Sequence, residues 1–234
     1  MKLYGVFGKG SGKVGNSVWA ISGGEQIVRP YNPNVTNPNT DAQVAQRAKL
    51  KLMSQLAAAM SPILAYKKQG LVSARNQFVS RNIGLCTYTD ADGAKCDILQ
   101  LDITGGKLAL PGITIEPGAA GFAAHLTSAP TANIKRVLYA AFNVDENDKL
   151  VFMESVLAKA AGQTGDFPAE FEHAGTAGYI FAYGIADENA GVTTKFEDYI
   201  ANLNDNEAAL AVVSYIKASQ ASLSVTKAFA FHTT

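Results

Sequence analysis

Five groups of residues in this sequence are of types that do chemistry: a glycine-rich turn, three histidines, two cysteines, two acidic clusters and a set of cations. Gly10-Ser11-Gly12-Lys13-Val14-Gly15 spells G-x-G-x-x-G, the turn that brings backbone against a pyrophosphate when it opens a helix. The next residues, Asn16-Ser17-Val18-Trp19-Ala20-Ile21-Ser22, read as a strand, so no helix N-terminus stands ready for the phosphate. A P-loop fails as well: Phe7 stands where its first glycine belongs, and Val14 where it needs Ser or Thr. His125, His173 and His232 have no carboxylate or cysteine at ligand spacing, and no G-x-S-x-G, H-E-x-x-H or paired C-x-x-C occurs. Asp90-Ala91-Asp92-Gly93 and Asp145-Glu146-Asn147-Asp148 lack the ligand run and distal glutamate of a calcium loop and read as acidic hairpin turns. Cys86 and Cys96 flank the first of them, which predicts two partly buried thiols facing across a hairpin, with a disulfide as the alternative. A zinc site would need a second ligand pair. The sequence thus predicts no catalytic constellation, no cofactor and no metal: not an enzyme.

What remains is charge. Residues 1–80 hold ten Lys or Arg against only Glu25 and Asp41, a net +8, while the remainder holds ten against eighteen acids, a net −8. Such a division points to an acidic partner for the front part, whether nucleic acid, another protein or the acidic part of a neighbouring copy. The candidate partner- or anion-binding residues are Lys9, Lys13, Arg29, Arg47, Lys49, Lys51 and Arg75, with Trp19 as a ring on which a base can stack. Arg47 and Lys51, one turn apart, are equally well explained as the solvated face of an amphipathic helix. The 234 residues are 47% apolar and 17% charged, which suits a packed core. No apolar run approaches the ~18 residues of a membrane span. Met1 to Gly8 is broken by glycine too early for a signal peptide, so the expected place of synthesis and use is a cytoplasm.

These residues need elements to position them. Gly23-Gly24 between two strand-like runs predicts a tight hairpin with Ala20 opposite Ile27 and Trp19 opposite Val28. Pro30 to Asn39 reads as an extended arm, because residues before proline are pushed out of the helical region. Thr40-Asp41-Ala42-Gln43 is a capping box opening a helix whose apolar positions run from Ala45 to Met60. Ser61-Pro62 is expected to start a second, short helix, and Ser73 to Asn82 a third that buries Phe78 and Val79. From Ile83 onward short strands alternate with turns, as in a sandwich or barrel. They are expected at Cys96 to Ile103, Gly121 to Leu126, Arg136 to Asn143, Lys149 to Val156, Phe167 to Glu172, Gly178 to Ile185 and Val192 to Ile200. A helix through Ala209 and Ile216 and a strand from Ser222 to Phe231 close the chain.

One stretch carries a resemblance. Ser11-Gly12-Lys13-Val14-Gly15-Asn16, Gln26-Ile27-Val28-Arg29 and Asn37-Pro38-Asn39-Thr40-Asp41-Ala42-Gln43-Val44-Ala45-Gln46-Arg47 resemble the opening of an uncharacterised family of gut Bacteroidota and their phages. Its N-P-x-T-x-x-Q-x-x-x-R signature is similar to one in phage virion proteins. Asn76 to Asn82 resembles the family's next landmark, and the strand pair near Val137 to Val151 its immunoglobulin-like tail. The resemblance spans roughly residues 10–200, is most specific in the first 80, and brings no catalytic residues with it. It implies a virion component (minor capsid, connector or decoration protein) assembled in the host cytoplasm, with self-association or other virion proteins as partners. The alternative is a nucleic-acid-binding protein on the phage genome. The expected fold is mainly β: a basic hairpin, arm and helical segment over residues 1–82, then an acidic, antiparallel, immunoglobulin-like β-sandwich over 83–234.

Overall fold

Val137 to Phe142 and Tyr179 to Tyr183 are apolar without alternation, a pattern a strand carries when both of its faces are covered. The structure is a computed structural model describing residues 10–22, 24–34, 39–67, 70, 72–110, 112–117, 121–126, 134–159, 169–172, 177–186, 199–219 and 222–232. Three short strands come first: β1 (Gly12–Val14), β2 (Ser17–Ser22) and β3 (Glu25–Pro30). Two helices come next, α1 (Asp41–Ala59) and α2 (Ala74–Asn82), then the hairpin β4 (Cys86–Thr89) and β5 (Gly93–Cys96). Beyond it lie β6 (Ile113–Pro117), β7 (Gly121–Leu126), β8 (Ile134–Val144), β9 (Leu150–Lys159), β10 (Ala169–Glu172) and β11 (Ala177–Ala186). Helix α3 (Asp205–Ser219) and the strands β12 (Ser222–Leu223) and β13 (Lys227–His232) complete the order. All ladders between these strands are antiparallel, and strand outweighs helix, so the fold is mainly β as expected.

The chain divides into two compact units, Met1–Gln43 and Val44–Thr234. The division expected after residue 82 follows charge and the change to short strands, whereas these units follow apolar contacts. Met53, Leu56 and Ala57 of α1 and Phe78 of α2 share one core with Leu138, Phe142 and Phe181 of the sheet, so the basic helices pack with the acidic part.

In the larger unit β8 lies between β9 and β11, and β12 and β13 both pair with the far side of β11. The even residues Leu138, Ala140 and Phe142 of β8 pack in the core that α1, α2 and α3 complete. Phe142 meets Phe152 and Phe181 edge to face, with ring centroids 5.5 Å away in each case. The odd residues Val137, Tyr139 and Ala141 build a second core with Ile113 and Ile115 of β6, which belongs to the small sheet β10-β7-β6. Three layers result: helices, a central sheet, and a small antiparallel sheet. Strand periodicity foretold a β-rich fold but not the helical layer over the central sheet.

Several local expectations give way. Ser61-Pro62 makes a turn rather than a helix: the Met60 carbonyl accepts from Ile63 N at 3.0 Å and Leu64 N at 3.1 Å, and the chain then leaves helical geometry. Ile63, Leu64, Ala65 and Tyr66 are all buried, and four consecutive buried residues do not suit a helix with a solvent face. The strand expected over Cys96 to Ile103 ends at Cys96, because the Asp97 carboxylate accepts from Leu99 N at 3.2 Å and opens a short 3₁₀ turn. The last strand is broken in two at Ser224 to Thr226. Of the strand expected at Val192 to Ile200, residues 192–198 lie outside the described residues, and Tyr199 and Ile200 are helical.

A polar knot fixes the layers. The Ser73 hydroxyl caps α2 by accepting from Asn76 N at 3.2 Å, and the helix ends on the buried Asn82. The Asn82 amide donates to the carbonyls of Phe78 (2.9 Å) and Asp102 (2.8 Å) while its oxygen accepts from Asp102 N (2.8 Å). Asp102 in turn accepts from the Tyr66 hydroxyl at its carbonyl (2.6 Å), and its carboxylate folds the turn by accepting from Thr104 N (3.1 Å) and Gly105 N (2.8 Å). The Thr104 hydroxyl then donates to the Ser224 carbonyl (2.8 Å), tying the turn to the edge of β11 through Ser224. Replacing Asn82→Ala leaves the Asp102 N–H without its partner, while the Asp102 carbonyl keeps the Tyr66 hydroxyl, and should lower stability by about 1–3 kcal/mol in urea denaturation. Beside this knot a Cβ on Gly106 would stand 2.2 Å from the Ser224 carbonyl and 2.4 Å from that of Leu223, both backbone atoms. Gly106→Ala should therefore cost about 1–3 kcal/mol, read as a lower urea midpoint at unchanged slope.

Candidate interaction surfaces

The N-terminal unit is built by two two-residue turns. Val14 pairs with Ser17 around Gly15-Asn16, with Gly15 at φ 55°. Ser22 pairs with Glu25 around the second turn, where Gly24 has φ 82°. Trp19 stands opposite Val28 and Ala20 opposite Ile27, as the two-residue spacing requires. The G-x-G-x-x-G stretch runs into the strand β2, so no helix N-terminus is offered to a pyrophosphate. Gln26 is the buried side chain of this sheet: it accepts from Gly10 N and donates to Gly10 O, both 2.8 Å, and also donates to Ala20 O at 3.2 Å.

Register sorts the candidate residues by face. Lys13, Val18 and Arg29 form one row across all three strands, so the two cations share a face about 10 Å apart. The Lys13 ammonium sits 3.7 Å from the centre of the Tyr31 ring, a contact that holds the lysine over this face. Trp19 alternates to the opposite face with Val28 and Ile21, so it cannot stack a base against the phosphates that Lys13 and Arg29 would hold. Lys9 lies outside the described residues.

In the larger unit, Arg47 and Lys51 are exposed and one turn apart on α1, whereas Lys49 projects from another side of the helix. The Arg75 guanidinium of α2 donates to the Ser54 carbonyl of α1 at 2.9 Å. That bond bridges an open groove of about 470 Å³ lined by Leu50, Ser54, Arg75, Asn76, Val79 and Ile83. No acid occurs in the sequence between Asp41 and Asp90, which leaves this groove with no carboxylate of its own segment. The capping box is not closed on its second side, since the Gln43 Oε1 is buried without a hydrogen bond.

The other chemistry-bearing residues are absorbed by structure. Asp92 bonds Lys95 at 3.0 Å and Thr89 at 3.2 Å, and the lysine holds its carboxyl below the usual range. One Asp145 oxygen accepts from Asn147 N and Lys149 N, both 2.8 Å, and these backbone donors likewise lower its carboxyl. Asp92 and Asp145 therefore close the turns of their hairpins. His125 in β7 and His232 in β13 belong to different sheets, and His173 lies outside the described residues. Among the described residues no three His, Cys, Asp or Glu side chains are grouped to hold a metal. Sequence reasoning missed the Asn82–Asp102–Thr104 knot, although Asp102-Ile103-Thr104-Gly105-Gly106 carried the signal of a side-chain-closed turn. Comparison with protein-family models, curated proteins and solved structures finds no match to this chain.

Cys86 and Cys96 are direct cross-strand partners and both are free thiols. Burial, reinforced by the hydrogen bond with Cys86, pushes the Cys96 thiol up to about 12. Only the thiolate reacts with alkylating agents, so at pH 8 Cys96 should be alkylated at least about a hundredfold more slowly in the folded chain than in urea. Mass spectrometry of iodoacetamide-treated protein reads the ratio, and equal rates would contradict the half-buried, hydrogen-bonded placement of Cys96.

Proposed function

We propose that this chain is a non-enzymatic assembly protein, a bacteriophage virion component such as a minor capsid, connector or decoration protein, whose N-terminal sheet makes the contacts between subunits. The observation that carries the reading is the surface of that sheet. Among the described residues twelve large apolar side chains stand well exposed, and five of them, Val14, Ile21, Ile27, Val28 and Tyr31, fall within the one short stretch from Val14 to Tyr31. A sheet of three short strands with no core of its own is marginal in water and needs a surface to cover it. The motif resemblance to the family of gut Bacteroidota and their phages supplies the setting, a virion assembled in the host cytoplasm. In this reading the two packed sheets of the larger unit form an immunoglobulin-like body, with the helices added over one face.

A second reading, a nucleic-acid-binding protein on the phage genome, is favoured by the row Lys13–Val18–Arg29 and by the acid-free segment carrying Arg47, Lys51 and Arg75. Light scattering on a sizing column, with the whole chain and with a chain lacking residues 1–39, separates the two. The assembly reading expects ordered multimers of the whole chain and a folded, monomeric truncated chain. Identical particles from both chains would overturn it, and a monomer that changes size only with DNA would replace it with the second reading.

A further inference from the structure

β3 is an outer strand: the sheet order is β1-β2-β3, and among the described residues nothing pairs with its far side. Its backbone parity is fixed by the strand it does pair with. Tyr31 N donates to Asn16 O at 2.7 Å, in register with the β2–β3 ladder, so the odd residues Glu25, Ile27 and Arg29 turn their N–H and C=O groups toward β2. Gln26 and Val28 turn theirs outward, and Pro30, the next outward position, has no N–H to offer.

We infer that two copies of this chain pair through this edge, β3 against β3, antiparallel about a two-fold axis at Ile27. The inference rests on the assembly reading and deepens it by naming the contact. Centred there, Gln26 faces Val28 of the second copy and Val28 faces its Gln26, which satisfies four outward backbone groups on each copy while Pro30 falls outside the ladder. The central pair is then the non-hydrogen-bonded kind, with its Cα atoms about 4.5 Å apart, and brings together two Ile27 side chains that are each 47% exposed in the single chain. Glu25 comes opposite Arg29 of the second copy, and Arg29 opposite its Glu25, so one sequence supplies both halves of two cross-strand ion pairs. The pairing depends on the sign and register of these side chains, whatever each touches within its own copy.

Neighbouring registers lose these features. Centring on Val28 puts Gln26 opposite Pro30, which cannot donate, and Arg29 opposite Ile27. Centring on Gln26 puts Glu25 opposite Ile27 and leaves Arg29 beyond the ladder. A one-residue slip sets an outward-facing backbone group against an inward-facing one. Only the Ile27-centred register joins paired backbone, paired isoleucines and opposite charges. The isologous contact is short, well below the ~1,200 Å² of a stable interface, so it acts in multiplicity or beside other contacts of the same assembly.

The test is sedimentation equilibrium of the whole chain and its variants E25R, R29E and the double variant E25R/R29E, each checked for native circular dichroism. Each single variant sets like charges against each other twice and should weaken self-association by about tenfold at low salt. The double variant exchanges the signs, restores both pairs and should recover the wild-type constant. I27K, which sets two ammonium groups at the axis, should abolish the contact. Self-association of the wild type that none of the variants alters would overturn the β3 edge while leaving the assembly reading standing. A wild type that stays monomeric at every concentration would overturn both. Tighter DNA binding by E25R and weaker by R29E, with no recovery of self-association in the double variant, would assign this face to nucleic acid instead.

Discussion

A strand buried on both sides must find two separate apolar partners, and in the larger unit β8 and β11 set this demand for everything around them. Val137, Tyr139, Ala141, Ile180 and Ala182 require one cover, and Leu138, Ala140, Phe142, Phe181 and Tyr183 another. The small sheet answers the first and the three helices the second. Each fully covered large side chain is worth about 1.5–3 kcal/mol relative to exposure, far more than any surface ion pair. The basic helices α1 and α2 are therefore committed to the acidic part by their apolar faces, and their charge is only what the remaining surface displays. Once the layers are stacked, the loop from Asp102 to Leu108 must pass close to β12, which is why Gly106 tolerates no Cβ and why Asn82 ties the loop's backbone groups.

Features set by local rules were legible in the sequence. The β2–β3 register followed from a two-residue glycine turn, because such a turn leaves one alignment of the flanking strands. Helix α2 was legible from Ser73, and the turn from Asp145 to Lys149 from its acids and amide. Features decided by packing were not. Residues 63–66 look helical after Pro62 but are buried at every position, a property of the neighbours rather than of the residues themselves. Compactness is decided by which apolar faces meet, and neither net charge nor a change of periodicity discloses that the helices share a core with the sheet.

The candidate site shows the same division. Counting cations grouped Lys13, Trp19 and Arg29 together, but strand alternation puts Trp19 on the face away from the other two. Arg47 and Lys51 did share a face, since helical spacing alone decides that. Arg75 was counted among the candidate anion-binding cations, and its guanidinium bridges α2 to the Ser54 carbonyl and so helps to shape a groove. Sequence counts give the sign of a surface, and only the register gives its geometry.

Sign and geometry then play different parts in any contact the N-terminal sheet makes. Exposed ion pairs contribute roughly 0.2–1 kcal/mol each and are screened over about 8–10 Å, so they govern approach and register. Affinity must come from covering Val14, Ile21, Ile27, Val28 and Tyr31, which no core of the unit covers. For a sheet this small the same burial that binds it also stabilises it, so its order and its docking are one linked equilibrium. Raising the concentration of the docking partner then raises the stability of the strands themselves. Salt slows the encounter but leaves the apolar part of the association in place. An edge strand with exposed isoleucine and alternating opposite charges is a hazard for a soluble monomer. In an assembling subunit it is a device that selects one register among the several that backbone hydrogen bonding would allow.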